Sequence, residues 1–144
     1  MTINRRYLVT FGLTLLALGF TAGTIWQPVA VQAQSDGKIF ELRTYTTNDG
    51  KLPNLQARFR DHTRRIFEKH GIENVGYWVP QETPNTLIYI ISHDSRQAAT
   101  DSWASFRADP EWTEVARASQ VDGQILAQAP EFVFMDAADY SAIQ

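Results

Sequence analysis

The chain has no cysteine. That single absence excludes a disulfide scaffold, a thiolate nucleophile, cysteine-built zinc sites and iron–sulfur ligation, so core packing has to supply the stability. Basic charge is scarce beyond the N-terminus. Arg5 and Arg6 are the only charged residues before Asp36, and with those two set aside, 11 of the 13 lysines and arginines face 16 acidic residues, a net charge of -5. An acidic body lacks the basic surface that displaces counterions from phosphates, which excludes nucleic acid as a partner. There is no internal repeat at fixed spacing and no low-complexity tract, and 144 residues leave room for one domain.

What is present begins with an address. Met1 to Arg6 is short and positive, Tyr7 to Phe20 is apolar and free of charge, and Val31-Gln32-Ala33 offers the small residues a signal peptidase reads. The expected signal segment is therefore 1–33, with cleavage after Ala33, an exported periplasmic or extracellular body at 34–144, and no membrane attachment once it is cut. The alternative is retention as an anchor, since about 20 apolar residues span a bilayer. Glycines and threonines dilute this stretch, and Pro28 would end a helix. Asn4-Arg5-Arg6-Tyr7-Leu8-Val9 also resembles a twin-arginine export string, against the plainer reading of two arginines in an ordinary n-region.

Ile39 to Thr46 alternates, with Phe40 and Leu42 on one face and Glu41, Arg43 and Tyr45 on the other, which predicts a strand. Leu52, Leu55, Phe59, His62 and Ile66 recur at helical spacing up to Gly71 and predict a helix of about five turns. Ile72 to Val79 and Thr86 to Ser92 read as a hairpin. A helix from Ser95 breaks at Asp109-Pro110, a fresh cap followed by proline, and runs on to Gly123. Glu131 to Asp136 is the last strand. The order β-α-β-β-α-β predicts an α+β, ferredoxin-like fold, with a four-stranded antiparallel sheet and both helices on one face. Leu87 to Ile91 is apolar on both faces, and two helices cover only one. A second copy packing sheet to sheet, as a dimeric α/β barrel, is the expected cover.

Five strings carry a resemblance: Phe40-Glu41-Leu42-Arg43-Thr44-Tyr45, Phe59-Arg60-Asp61-His62-Thr63, Glu68-Lys69-His70-Gly71, Val75-Gly76-Tyr77-Trp78 and Asp109-Pro110-Glu111-Trp112. In order and spacing they resemble NIPSNAP domains, over nearly all of Ile39 to Asp136. The resemblance implies a homodimeric α/β barrel in a superfamily that also holds cofactor-independent quinol monooxygenases and haem-handling barrels. It implies no settled chemistry, and the export segment departs from the mitochondrial members, whose partners an exported protein would not meet.

Among single residues, Glu41, Arg43 and Tyr45 form a polar row on one strand face, which looks away from the helices if Phe40 and Leu42 pack against them. This is either an exposed edge or ion pair across the dimer, or a polar anchor inside the barrel. In the second reading Arg43 binds an anionic or carbonyl group, Glu41 or Tyr45 handles a proton, and Trp78 adds a stacking wall. His62 is either a core histidine or a residue aimed at the cavity, which makes Glu41, Tyr45 and His62 the catalytic candidates and Arg43, Tyr45 and Trp78 the ligand-binding ones. His70, before the glycine, fits a helix C-terminal cap. As metal ligands His62 and His70 fail on geometry, because eight helical residues separate them by about 12 Å. His93 stands alone beside Asp94. No further pattern marks any of the three as a haem ligand, so no metal and no cofactor is expected. Trp103 and Trp112 read as core, and Arg58, Arg60, Arg64, Arg65 and Lys69 as a solvated helix face. The leading expectation is an exported dimer that binds a small, partly apolar organic ligand inside the barrel. A cofactor-independent monooxygenase or isomerase and a filled-barrel interaction module are the alternatives.

Overall fold

The computed structural model describes residues 37–144; the expected signal segment, its cleavage point after Ala33 and the twin-arginine string lie outside the described residues. Strand β1 (Ile39–Thr46) leads to helix α1 (Leu52–Arg58), which continues through a π-helical turn at Phe59–Thr63 into α2 (Arg64–Lys69). Gly71, at φ 72°, ends it in the left-handed conformation that favours glycine. Strands β2 (Glu73–Trp78) and β3 (Thr86–His93) follow, then α3 (Arg96–Ala108), α4 (Pro110–Ala118) and β4 (Glu131–Asp136). Ser95 caps α3 by accepting from the Ala98 amide, and Asp109 caps α4 by accepting from the Glu111 amide, with Pro110 at the first helical position. Helix α4 stops at Ala118, short of the expected Gly123.

The four strands form one antiparallel sheet in the order β2-β3-β1-β4, the ferredoxin-like arrangement. β1 and β3 lie at its centre, with Arg43 opposite Tyr89 and Glu41 opposite Ile91. Tyr45, Leu87, Tyr89 and Ile91 pack against Leu55, Phe59, Ile66, Phe67 and Phe106 in one core. The odd-numbered residues of β1 therefore face the helices. This reverses the expected orientation, in which Phe40 and Leu42 met the helices and Glu41, Arg43 and Tyr45 faced away. Alternation distinguishes two faces without saying which is covered. Here the inward charges are tolerated because they pair with each other and meet aromatic rings.

On the other face, Leu42 lies between Ile90 and Val133. Phe40, Val75, Ile90 and Met135 line a recess of about 340 Å³ together with Tyr140 and Ile143 of the C-terminal segment. Trp78 and Val133 remain 52% and 57% exposed. The face is apolar and only partly roofed by its own chain. Among the described residues no helix is long and apolar enough to cross a membrane.

The π turn corrects a second expectation. Its wider loop adds one residue to the helix, and the Arg64 amide bonds the Phe59 carbonyl. The inward row therefore passes from Phe59 to Thr63 and on to Ile66 and Phe67, all buried, while His62 turns out to solvent. Thr63 holds the turn with a hydroxyl bond to the Arg58 carbonyl, 3.2 Å.

Candidate functional site

Glu41 is 1% exposed and organises the centre of the helix-covered face. Its Oε1 accepts from Arg43 Nη1 at 2.5 Å, and its Oε2 accepts from Trp103 Nε1 at 2.7 Å and from His93 Nε2 at 3.1 Å. Burial by itself would raise the carboxyl pKa. The bonds from His93 and Trp103 and the Arg43 charge outweigh burial and hold it below its ordinary value. A carboxylate held by three donors, and so acidic, is a poor general base, because most of its lone pairs are engaged and its proton affinity is low.

His93 belongs to β3 and is fully buried, which corrects its reading as a lone residue beside Asp94. It sits opposite Ile39 while Glu41 sits opposite Ile91, so period-two geometry puts both side chains on the helix-covered face. This partner was missed, and only the strand register, a long-range property, could have exposed it.

Arg43 is held over rings: its guanidinium carbon lies 4.4 Å from the Trp103 centroid, 5.4 Å from Phe132 and 5.7 Å from Tyr45. Burial works against its charge, but the tyrosines at 45 and 89 and the Glu41 carboxylate raise its pKa above the ordinary arginine value. Arg43, Tyr45 and Trp103 open onto a cleft of about 520 Å³ between the sheet and helices α3 and α4, with Arg58, Phe106 and Trp112 among its other walls. The volume is that of a small-molecule site. Arg58 corrects its assignment to a solvated face. It is 7% exposed and points inward beside the Trp112 ring, 5.3 Å away, whereas Arg60, Arg64, Arg65 and Lys69 are exposed. Its placement three residues after Leu55 was the available sign. Trp103 and Trp112 contribute to the core margin and also form the cleft walls.

Two other candidates lie elsewhere. Trp78 is at the end of β2 on the open face, its ring folded over Gly76, where an added Cβ would come within 2.5 Å of it. It is not a wall of the Arg43 cleft; Trp103 takes that place. His62 lines an adjoining recess of about 460 Å³ with Asn54, Asp61, Glu114 and Asp122, which shares Arg58 with the cleft. Of the candidates, the structure therefore brings together Glu41, Arg43 and Tyr45, and separates His62 and Trp78 from them.

His70 joins a further cluster. Its Nε2 meets Asp109 Oδ2 at 2.6 Å and its Nδ1 meets Ser105 Oγ at 2.7 Å, in place of the expected bonds to the last helix carbonyls. Lys69 Nζ bonds the same Asp109 oxygen at 2.8 Å. The three residue types of a hydrolytic triad meet here, but serine and carboxylate have exchanged ring nitrogens relative to that mechanism. The carboxylate is also engaged as the cap of α4, so the cluster reads as a clamp between α2, α3 and α4. Among the described residues no group of three or more metal-ligating side chains comes together.

The NIPSNAP family profile matches residues 40–141. The chain belongs to the NIPSNAP family. A crystal structure of a NIPSNAP family protein of unknown function from Agrobacterium tumefaciens is 24% identical with a TM-score of 0.66, covering 76% of this chain and 96% of that one. An uncharacterized NIPSNAP-like domain protein from Burkholderia xenovorans is 18% identical with a TM-score of 0.64, covering 74% and 90%. A Caulobacter crescentus protein named for antibiotic biosynthesis monooxygenases is 14% identical with a TM-score of 0.53, covering 72% and 92%. At these identities the likeness carries the fold alone. Among curated proteins, none matches the chain.

Proposed function

We propose that this NIPSNAP protein is exported after cleavage behind Ala33, pairs as a homodimer through its open sheet face, and binds a small, partly apolar organic ligand. The ligand site of this reading is the cleft under α3 and α4, which replaces the barrel interior expected from the sequence. One observation carries it: a cleft of about 520 Å³ whose walls are Tyr45, Trp103, Phe106 and Trp112, with Arg43 at its base. Aromatic walls with a few convergent polar groups are the usual composition of a small-molecule site. Glu41 supports a binding role over a catalytic one, since its three donors fix Arg43 and Trp103 and leave it little capacity to take a proton.

Native mass spectrometry of the purified protein tests this. The expected result is a polypeptide beginning at Gln34, a mass of two chains, and a small-molecule adduct that is lost in Trp103→Ala. A protein that carries no adduct, and whose Trp103→Ala variant behaves as wild type toward every small aromatic tried, would remove the ligand-site reading. A chain retaining Arg5 and Arg6 would remove the export reading.

A further inference from the structure

The cleft's charge balance says more about its occupant than its shape does. Arg43, Arg58 and Arg107 line it, together with Gln120, Gln124 and Gln128, and no aspartate or glutamate is among the lining residues. In a body of net charge -5 this is a local excess of positive charge beside aromatic rings, although Arg107 is exposed and Arg58 also borders the recess that holds Asp61, Glu114 and Asp122, with none of which it forms an ion pair. Glu41 is the one carboxylate paired with Arg43, and both its oxygens are occupied by Arg43, Trp103 and His93. It makes no bond to Arg58. Among the described residues, Arg58 makes no ion pair; its Nη1 reaches only the Ser119 hydroxyl at 3.4 Å, and its buried Nε has no hydrogen-bond partner. Arg43 Nε is likewise buried without a partner.

A buried guanidinium remains charged, and leaving it without a counter-charge is costly. Rings such as Trp112 and Trp103 offset part of that cost through their faces, but they accept no hydrogen bond along the N–H directions. An anion does. Resting on the ligand-cleft reading, we infer that the ligand is a flat aromatic carboxylate, its acid group engaged by Arg43 and Arg58 and its ring system laid against Trp103 and Trp112. A planar carboxylate suits the fork of a guanidinium, and a planar ring suits indole walls.

Titration calorimetry on the purified protein with 2-naphthoate and with 2-naphthamide tests this, since the two share shape and differ in charge. Naphthoate is expected to bind at least tenfold more tightly. Arg58→Met should lower that ratio severalfold with little change for the amide, and a ratio unchanged by it would overturn the role of Arg58. Arg58→Lys, which keeps the charge, should retain a preference and stands in if the methionine variant does not fold. Equal binding of acid and amide would overturn the carboxylate inference while leaving the cleft reading intact. Binding of neither up to millimolar concentration would overturn the aromatic-carboxylate inference, while the cleft reading stands or falls separately with the adduct seen by native mass spectrometry. Displacement of naphthoate by inorganic phosphate at matching concentration would show a site for a free anion and overturn the aromatic part.

Discussion

The Arg43 guanidinium stacks on the Trp103 ring at 4.4 Å while the two side chains donate to opposite oxygens of one carboxylate, Glu41. That triangle ties the centre of the sheet to α3 and fixes the orientation of the arginine toward the cleft.

Replacing Glu41 with glutamine keeps the shape but removes the charge and turns one acceptor into an amide donor facing other donors. Arg43 is then buried without its partner, and the expected loss is about 3 kcal/mol in urea unfolding. The double variant Glu41→Leu with Arg43→Met removes both charges, and it should recover a large part of that loss. A cost below about 1 kcal/mol for the single variant, the level of an exposed pair, would contradict the buried-pair account.

The clamp at Asp109 sets a pH dependence. Bonds from Lys69 and then His70 hold its carboxyl well below the usual aspartate range. A depressed native pKa means that the ionised group stabilises the fold above its unfolded value of about 4, and that this contribution is lost as pH falls from there through the native value. In thermal melts the gap between wild type and Asp109→Asn should close as pH falls below about 4. The remaining carboxylates are common to both proteins, so they do not produce that closure. A gap independent of pH would show Asp109 acting as a cap alone.

Much of the fold was readable from local pattern because strands and capped helices are local events. Ile39–Thr46 and Glu131–Asp136 follow from alternation, and the break at Asp109-Pro110 from cap and proline chemistry. The candidate site was only half readable. That Glu41, Arg43 and Tyr45 share a face follows from period two, but which face the helices cover depends on the pairing of Glu41 with Trp103, 62 residues away. The link from Glu41 to His93 depends on strand register across 52 residues. His62 was misplaced because 3.6-residue spacing carries no sign of a π turn, and Arg58 because charge was weighed above its position beside Leu55.

The π turn is itself testable by length. Its one extra residue moves the inward positions after Phe59 along by one, to Thr63, Ile66 and Phe67 in place of His62, so deleting the exposed Arg60 should convert the segment to ordinary α-helix while Thr63, Ile66 and Phe67 stay on the inner face. Circular dichroism should show a folded protein. Deleting Gln56 from α1 instead removes a residue from a regular stretch and rotates every later core side chain by about 100°, so this variant should fail to fold. Equal collapse of both deletions would mean that the π turn carries packing which an α-helix cannot reproduce.

The open sheet face sets the last expectation, homodimerisation. Leu42, Ile88 and Ile90 on the central strands continue into Val133, which is 57% exposed, and the C-terminal residues Tyr140 and Ile143 line only the recess at Phe40 and Val75. A contiguous apolar face of several hundred Å² is more than an isolated monomer usually leaves in water, and a two-fold axis lets one patch cover its own copy. Light scattering at micromolar concentration should give twice the chain mass. Ile88→Asp combined with Val133→Asp would bring four like charges together in the dimer while each monomer keeps its helix-side core. The variant should therefore scatter as a monomer with an unchanged far-ultraviolet spectrum. Because Arg43 and Arg58 lie on the other side of the sheet, it should still bind whatever the wild type binds with affinity within about threefold, a difference of roughly 0.7 kcal/mol. A wild-type monomer, or a charged variant that stays dimeric, would show that the copies meet elsewhere or not at all; loss of binding along with the dimer would make the cleft dependent on the partner copy.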